Sequence, residues 1–225
     1  LIKPGVTTVF LNNEAEKFIL SQNATPAFKG YHGFPSAICA SINEEVVHGV
    51  PSSRKLLEGD ILSVDIGVRY QGYIGDAAKT FPVGKISVAS QNLLKICQEC
   101  LNIGIKNARP GNRVSDISKS IQEHAESNGY SVVRDYTGHG VGSEIHEDPQ
   151  VPNYVDPNWS SYDIKLKPGY CIAIEPMVNI GTYRIKTVRR QGWEVVLTKD
   201  SKWSAHFEHT IAITENDPII LTLPD

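Results

Sequence analysis

Four carboxylates sit where the period-two alternation of apolar residues turns them away from a strand's apolar face. Between Ile61 and Val68, residues Leu62, Val64, Ile66 and Val68 share one face and leave Asp65 beside Ser63 on the other. Glu175 alternates with Ala173 and Met177, and Glu208 lies on the His206 and Thr210 face, opposite Phe207, Ile211 and Ile213. A hairpin centred between Tyr70 and Gln71 would pair Asp76 directly with Asp65, with Cβ atoms ~5 Å apart. Carboxylates that close repel unless a cation or a shared proton lies between them. A single acidic residue on a strand face is ordinarily solvated. Four gathered in one site carry about −4, which two divalent cations neutralise and one does not. The pattern therefore favours a two-metal site.

Histidine supplies the remaining ligand chemistry. His139 lies in Thr137-Gly138-His139-Gly140-Val141-Gly142, and His146 follows in Glu144-Ile145-His146-Glu147-Asp148-Pro149. A glycine-rich loop can cradle a phosphate, but this one lacks the P-loop lysine and the full dinucleotide fingerprint. Glycines beside a histidine instead allow backbone or substrate to approach closely. His48 opens a turn in Val47-His48-Gly49-Val50-Pro51; alone it reads as an ordinary surface histidine, as do His32 and His209, while His124 sits on a helix with no evident partner.

The elements that must position these groups are legible in the periodicity. Helical spacing runs from Thr8 to Gln22 through Phe10, Leu11, Phe18 and Ile19, from Ser90 to Ala108 through Leu93, Leu94, Cys97, Cys100 and Leu101, and from Asp116 to Asn128 through Ile117, Ile121 and Ala125, with Gly129 as a stop. Strands are expected over Ile61 to Val68, Tyr170 to Val178, Trp193 to Thr198 and Ser204 to Thr214. Helices mixed with antiparallel strands, without regular βαβ alternation, indicate an α+β domain whose helices cover one side of a curved sheet. Pro152 to Pro168 reads as a long surface loop.

Composition sets the class. The chain has 225 residues, 40% of them hydrophobic, which is enough for one substantial core and one domain spanning 1–225. The start at Leu1, close to the turn Lys3-Pro4-Gly5, suggests a preceding segment. With 22 basic and 25 acidic residues the net charge is −3, so no basic excess supports nucleic-acid binding. No apolar run approaches the ~20 residues of a membrane helix, and no signal peptide is evident, so a cytoplasmic protein is expected. Four scattered cysteines read as reduced thiols, and the Cys97–Cys100 pair as helix packing rather than a redox or zinc motif.

The order and surroundings of these residues resemble the type I methionine aminopeptidases over essentially the whole chain. The resemblance is carried by Tyr31-His32-Gly33-Phe34-Pro35, Ser41-Ile42-Asn43-Glu44, His48-Gly49-Val50-Pro51, Gly59-Asp60 leading to Asp65, Gly75-Asp76, the Gly138 to Gly142 loop, His146 through Tyr154, Leu166-Lys167-Pro168-Gly169, Ile174-Glu175-Pro176-Met177-Val178-Asn179 and Phe207-Glu208-His209-Thr210. It implies the pita-bread fold, in which two α+β halves related by pseudo-symmetry enclose two divalent ions. Manganese, iron or cobalt suits four oxygen ligands and one nitrogen. Carried over, Asp65 and Asp76 would hold one ion, His139 and Glu175 the other, with Asp76 and Glu208 bridging. His48 and His146 match the family's non-ligand histidines at the scissile peptide, and Glu175 would move the proton of the attacking water. Tyr31, Phe34, Cys39 and Trp193, with His32 nearby, would form the methionine pocket.

The resemblance also implies removal of the N-terminal methionine of nascent polypeptides ahead of a small second residue, by a monomer that can meet its substrates at the ribosome. Departures are Phe28, where many members have cysteine, Ile145, where some have an aromatic residue, a longer loop between Tyr154 and Leu166, and an extra residue before Trp193. They fall between the ligands. The alternatives are a proline-specific peptidase of the same fold, which usually carries a further N-terminal domain, and a non-catalytic binding relative, which typically loses ligands.

Overall fold

Helices form where apolar residues recur at three- and four-residue spacing and a cap is at hand. In the computed structural model, which describes residues 1–156 and 163–223, α1 spans Thr8–Ser21, α2 Val88–Asn107 and α3 Val114–Ser127. Thr7 Oγ1 accepts the Phe10 N–H at 3.3 Å and Ser87 Oγ the Ser90 N–H at 3.1 Å, closing the first turns of α1 and α2. The Asp116 carboxylate accepts the Arg113 N–H at 2.7 Å to close α3, whose end is marked by Gly129 at φ 81°. Val114, Ile117, Ile121 and Ala125 form the buried stripe of α3. In α1, Leu11 and Ile19 are buried as the spacing predicts, whereas Phe10 and Phe18 are exposed.

The strands in chain order are β1 (Thr25–Pro26), β2 (Cys39–Ile42), β3 (Glu45–Val47), β4 (Ile61–Tyr70), β5 (Tyr73–Pro82), β6 (Ser131–Val132), β7 (Thr137–Gly140), β8 (Glu147–Pro152), β9 (Cys171–Ile174), β10 (Met177–Asn179), β11 (Ile185–Arg190), β12 (Trp193–Thr198), β13 (Ser204–His206), β14 (His209–Ala212) and β15 (Ile219–Ile220). Two antiparallel groups matter most: β1-β4-β2 with β5 on β4, and β15-β14-β9-β7-β8. The main core packs α2 and α3 through Leu93, Leu101, Ile117 and Ile121 against Ile172 and Ile174 of β9 and Val178 of β10. A second core sets Leu11 of α1 against Ile38, Ile42 and Leu62. Burying such side chains contributes about 1.5–3 kcal/mol each.

Two sequence expectations are corrected here. The β4–β5 hairpin turns at Gln71-Gly72, with φ of 49° and 90°, so Tyr70 pairs with Tyr73, Asp65 with Ala78 and Asp76 with Gly67. Two successive positive φ values make a turn whose twist matches that of the strands. Asp65 and Asp76 are thus diagonal neighbours on one face rather than a directly opposed pair. The strands expected over Tyr170 to Val178 and Ser204 to Thr214 are each broken, at Glu175-Pro176 and at Phe207-Glu208. Proline has no N–H for the ladder, and the break frees the Pro176 carbonyl, which accepts from the buried Cys97 thiol at 3.3 Å. Cys97 and Cys100 are free and fully buried, as helix packing requires.

The segment expected as a surface loop is anchored where it is described. Asn153 is 1% exposed, and Leu166 is buried and paired through its N–H to Asn112 O at 2.8 Å. Its centre, 157–162, lies outside the described residues.

The glycines around His139 act as the sequence predicts. A Cβ added at Gly138 would lie 2.4 Å from Ala173 O, and one at Gly140 would lie 2.2 Å from Asp148 O, so β7 runs tightly between β8 and β9. Gly138→Ala therefore forces the backbones apart beside His139. Overpacking of this kind costs about 1–3 kcal/mol, which for a chain this long lowers Tm by several degrees. Thermal unfolding checks this; an unchanged Tm would mean that the strands separate freely.

Candidate metal centre and its cavity

Strand breaks, bulges and one hairpin converge on a single cavity of about 240 Å³. Asp65 projects from β4 and Asp76 from β5; His139 lies at the irregularity in the β7–β8 pairing; Glu175 and Glu208 occupy the two breaks. Side-chain hydroxyls fix the backbones that carry them. Thr210 Oγ1 accepts from Asp76 N at 2.9 Å and donates to Asp76 O at 2.8 Å, so β14 grips β5 at the acidic residue itself. Thr80 Oγ1 makes the same pair of bonds with His206, at 2.9 and 2.8 Å. Glu208 N donates to Ala78 O at 2.8 Å, across from Asp65.

The ligand atoms of Asp76, His139 and Glu208 all lie within 4.8 Å of one another. His139 Nε2 is 4.0 Å from Asp76 Oδ2 and 3.5 Å from Glu175 Oε1, and His139 Nδ1 is 2.9 Å from the Gly140 carbonyl, to which it donates. That bond leaves Nε2 free to act as a ligand. Asp65 Oδ1, Asp76 Oδ1 and Glu208 Oε1 are buried and have no hydrogen-bond partner among the described residues. Native proteins seldom leave such atoms unpaired. An oxygen-rich set with one imidazole fits hard or borderline divalent ions.

Electrostatics follow from burial. Desolvation first, and then the charge of Asp76, push the Asp65 and Glu208 carboxyls well above the carboxylate range. Desolvation raises Asp76 to about 6, with His139 opposing it. Desolvation and then His139 hold the His146 imidazole down to about 4, so it is neutral at neutral pH. Desolvation likewise lowers His48.

The rest of the cavity is lined by aromatic and imidazole rings with a few aliphatic side chains. Phe34 and Trp193 meet edge to face with ring centroids 5.2 Å apart, and Cys39 pairs with Asp65 across β2 and β4. His48 packs edge-on against Tyr136 at 5.3 Å. Tyr31 Oη is 2.8 Å from His146 Nδ1, and His146 lies 4.4 Å from His139 between ring centroids. His32 meets Tyr31 edge to face with ring centroids 4.3 Å apart. Every residue singled out from the sequence for the site, namely Tyr31, His32, Phe34, Cys39, His48, Asp65, Asp76, His139, His146, Glu175, Trp193 and Glu208, lines this one cavity. Phe28 lines it too, its ring filling the space over Gly67, where an added Cβ would lie 2.6 Å from Phe28 Cε1. Val47 and Thr137, which stand in the motifs around His48 and His139, and Tyr136 complete the wall without having been singled out as site residues. Ile145 is buried behind it with Ile74 and Val141. His124, expected to be alone, contacts Glu99 at 3.0 Å, and neither lines the cavity.

Comparison with known proteins gives a consistent picture. The model of metallopeptidase family M24 matches residues 1–215. Methionine aminopeptidase of Clostridium acetobutylicum is 55% identical over 222 residues, covering 98% of this chain and 87% of that protein. Methionine aminopeptidase 1 of Bacillus subtilis is 53% identical over 221 residues, covering 98% and 87%. The crystal structure of methionine aminopeptidase from Rickettsia prowazekii superposes with a TM-score of 0.94 at 41% identity, covering 99% of this chain and 88% of that one. Prolidase from Pyrococcus furiosus shares the fold, with a TM-score of 0.78 at 24% identity over 100% of this chain and 58% of that one.

The raised carboxyl pKa values have a thermodynamic consequence. A group whose folded pKa exceeds its unfolded one contributes stability that is full below the unfolded value and is lost as pH rises through the folded value. For Asp76 that window runs from the ordinary carboxyl value of 3.8 to about 6, and the raised Asp65 and Glu208 carboxyls act in the same direction. Chelator-treated protein should therefore lose stability between about pH 4 and neutrality, and added manganese should raise Tm more near pH 7.5 than near pH 5. Scanning calorimetry at the two pH values tests this; a manganese increment independent of pH would contradict the charge cluster.

Proposed function

This chain belongs to metallopeptidase family M24, and from that membership we infer that it is a metal-dependent aminopeptidase that hydrolyses the N-terminal methionine from proteins and peptides. Its fold is the pita-bread fold of that family. The observation that carries the reading is the meeting, in one cavity, of an unpaired acidic cluster with His139 and an aromatic pocket.

In the proposed site Asp65, Asp76, His139, Glu175 and Glu208 would hold two divalent ions, manganese, iron or cobalt. When bound, the ions supply Lewis acidity, lowering the pKa of water toward neutrality and polarising the scissile carbonyl. The remaining chemistry is done by side chains of the chain itself. Glu175 accepts the proton of the attacking water and delivers it to the leaving amide nitrogen, with His48 assisting. His146 is neutral, and with the Tyr31 hydroxyl donating to Nδ1 its proton would lie on Nε2, from which it can be donated to the oxygen on which charge develops. Such a donor stabilises the transition state more than the ground state. The acidic wall favours a chain end bearing an amine over an internal peptide.

Tyr31, Phe34, Cys39 and Trp193 receive the methionine side chain, with His32 at the rim. The preference for a small second residue and a monomeric state are part of the same proposal. So is action in the cytoplasm on nascent chains, including chains still at the ribosome. Among the described residues no helix is long and apolar enough to cross a membrane.

Chelator-stripped protein given manganese or cobalt should release methionine from Met-Ala-Ser and leave Ala-Pro-Ser intact. Release of alanine from the second peptide would instead assign a proline-specific peptidase, and silence on both with metal bound a binding protein. In the same assay Glu175→Gln should lower kcat by about 10²- to 10⁴-fold. Hydrolysis near the wild-type rate would remove Glu175 from the proton-transfer role.

A further inference from the structure

His206 is a buried imidazole that the chemistry above leaves unused. It ends β13, is 1% exposed, and has no hydrogen-bond partner for either ring nitrogen among the described residues. Its backbone is fixed on two sides. Thr80 Oγ1 bonds both its N–H and its carbonyl, and the same hydroxyl lies 2.8 Å from Ser63 Oγ. On the other side, β13 pairs His206 with Met177, two residues beyond Glu175. The two strand breaks thus bring the ring against the Glu175 carboxylate, with Nε2 3.4 Å from Oε2. No other carboxylate oxygen lies within 4 Å of either ring nitrogen among the described residues.

An imidazole carries at least one N–H in either protonation state, and a buried N–H without an acceptor is costly. Neither nitrogen makes a hydrogen bond among the described residues, but Nε2 has Glu175 Oε2 at 3.4 Å and Nδ1 has no carboxylate oxygen within 4 Å, which favours the tautomer with hydrogen on Nε2. The other oxygen, Oε1, faces His139 Nε2 at 3.5 Å, and the Glu175 carbonyl accepts from Asn153 Nδ2 at 3.1 Å. We propose that His206 is a positioning residue for Glu175: its Nε2–H holds Oε2, so that Oε1 stays turned toward His139 and the metal cluster. Partners that orient a metal-binding carboxylate govern metal affinity as well as rate. The inference rests on the reading of Glu175 as ligand and proton acceptor.

The test compares wild type with His206→Leu, His206→Gln and His206→Asn. The Gln amide nitrogen reaches about as far as imidazole Nε2, whereas the Asn amide reaches only about as far as Nδ1, so the two polar variants differ in reach and not in polarity. Manganese affinity is measured by titration calorimetry, and kcat and KM on Met-Ala-Ser. His206→Leu should lose about 10- to 100-fold in manganese affinity and in kcat, with KM nearly unchanged. His206→Gln should recover most of both, and His206→Asn little. Wild-type affinity and kcat in His206→Leu, or equal impairment of all three variants, would overturn the positioning role while leaving the aminopeptidase assignment standing. A wild-type protein that neither binds manganese nor releases methionine would overturn both.

Discussion

Acidic groups drawn into the interior with no lysine or arginine to meet them among the described residues are the constraint that the surrounding structure answers to. Asp65, Asp76, Glu175 and Glu208 face one cavity, and three of their oxygens are buried and unpaired. Two like charges 4 Å apart repel by about 4 kcal/mol at an effective dielectric near 20, against a whole folding free energy of about 5–15 kcal/mol. Side chains alone would not stay together against that. The backbones hold them: the Thr210 hydroxyl grips Asp76, the Thr80 hydroxyl grips His206, and Glu208 N is tied to Ala78 O. These bonds cross from β5 to β13 and β14, so the acidic groups cannot separate without opening the contact between sheets.

The chain treats another buried acid differently. Glu45, 4% exposed, receives the guanidinium groups of Arg54 and Arg190. The central carboxylates receive none; among the described residues their ion-pair partners are His139 and His206. Arginine is the residue suited to neutralising a buried carboxylate permanently. Its presence at Glu45 and absence from the cavity separate a structural acid from acids kept open to a cation from outside. Tight flanking backbone at Gly138 and Gly140 serves the same end, because it lets β7 carry His139 to the cluster without filling the cavity.

Alternation made Asp65, Glu175 and Glu208 legible in the sequence and flanking glycines did so for His139, because each depends on local pattern, whereas the pocket residues came only from the family resemblance. What the sequence concealed depended on non-local or conformational facts. The Gln71-Gly72 turn requires a positive φ at Gln71, a conformation that glutamine seldom adopts, so the hairpin register and the diagonal placement of Asp65 and Asp76 could not be read from composition. The strand breaks at Glu175 and Glu208 interrupt segments whose alternation runs on unbroken. The proline after Glu175 was a local signal for the first of them. His206 read as one more residue on a polar strand face; only the pairing of β13 with β10 shows that this face looks at Glu175. His124 and Glu99 lie on different helices, and their meeting is set by how α2 packs on α3.

Pocket and metal centre share the same strand pairs, which limits how independently either can change. Cys39 of the apolar wall is the cross-strand partner of Asp65, and Tyr31 of the rim bonds the ring that faces the reacting carbonyl in the proposed mechanism. Phe28 fills the space over Gly67, and Gly67 is the cross-strand partner of Asp76. A smaller residue at position 28 would therefore do more than widen the pocket. It would remove packing from the strand pair that carries Asp76, in a site where a displacement of about 1 Å can cost about 10²-fold in rate. Selectivity for the side chain and the geometry of the acidic cluster are for this reason one structural problem, and the aromatic residue at position 28 is part of its solution in this chain.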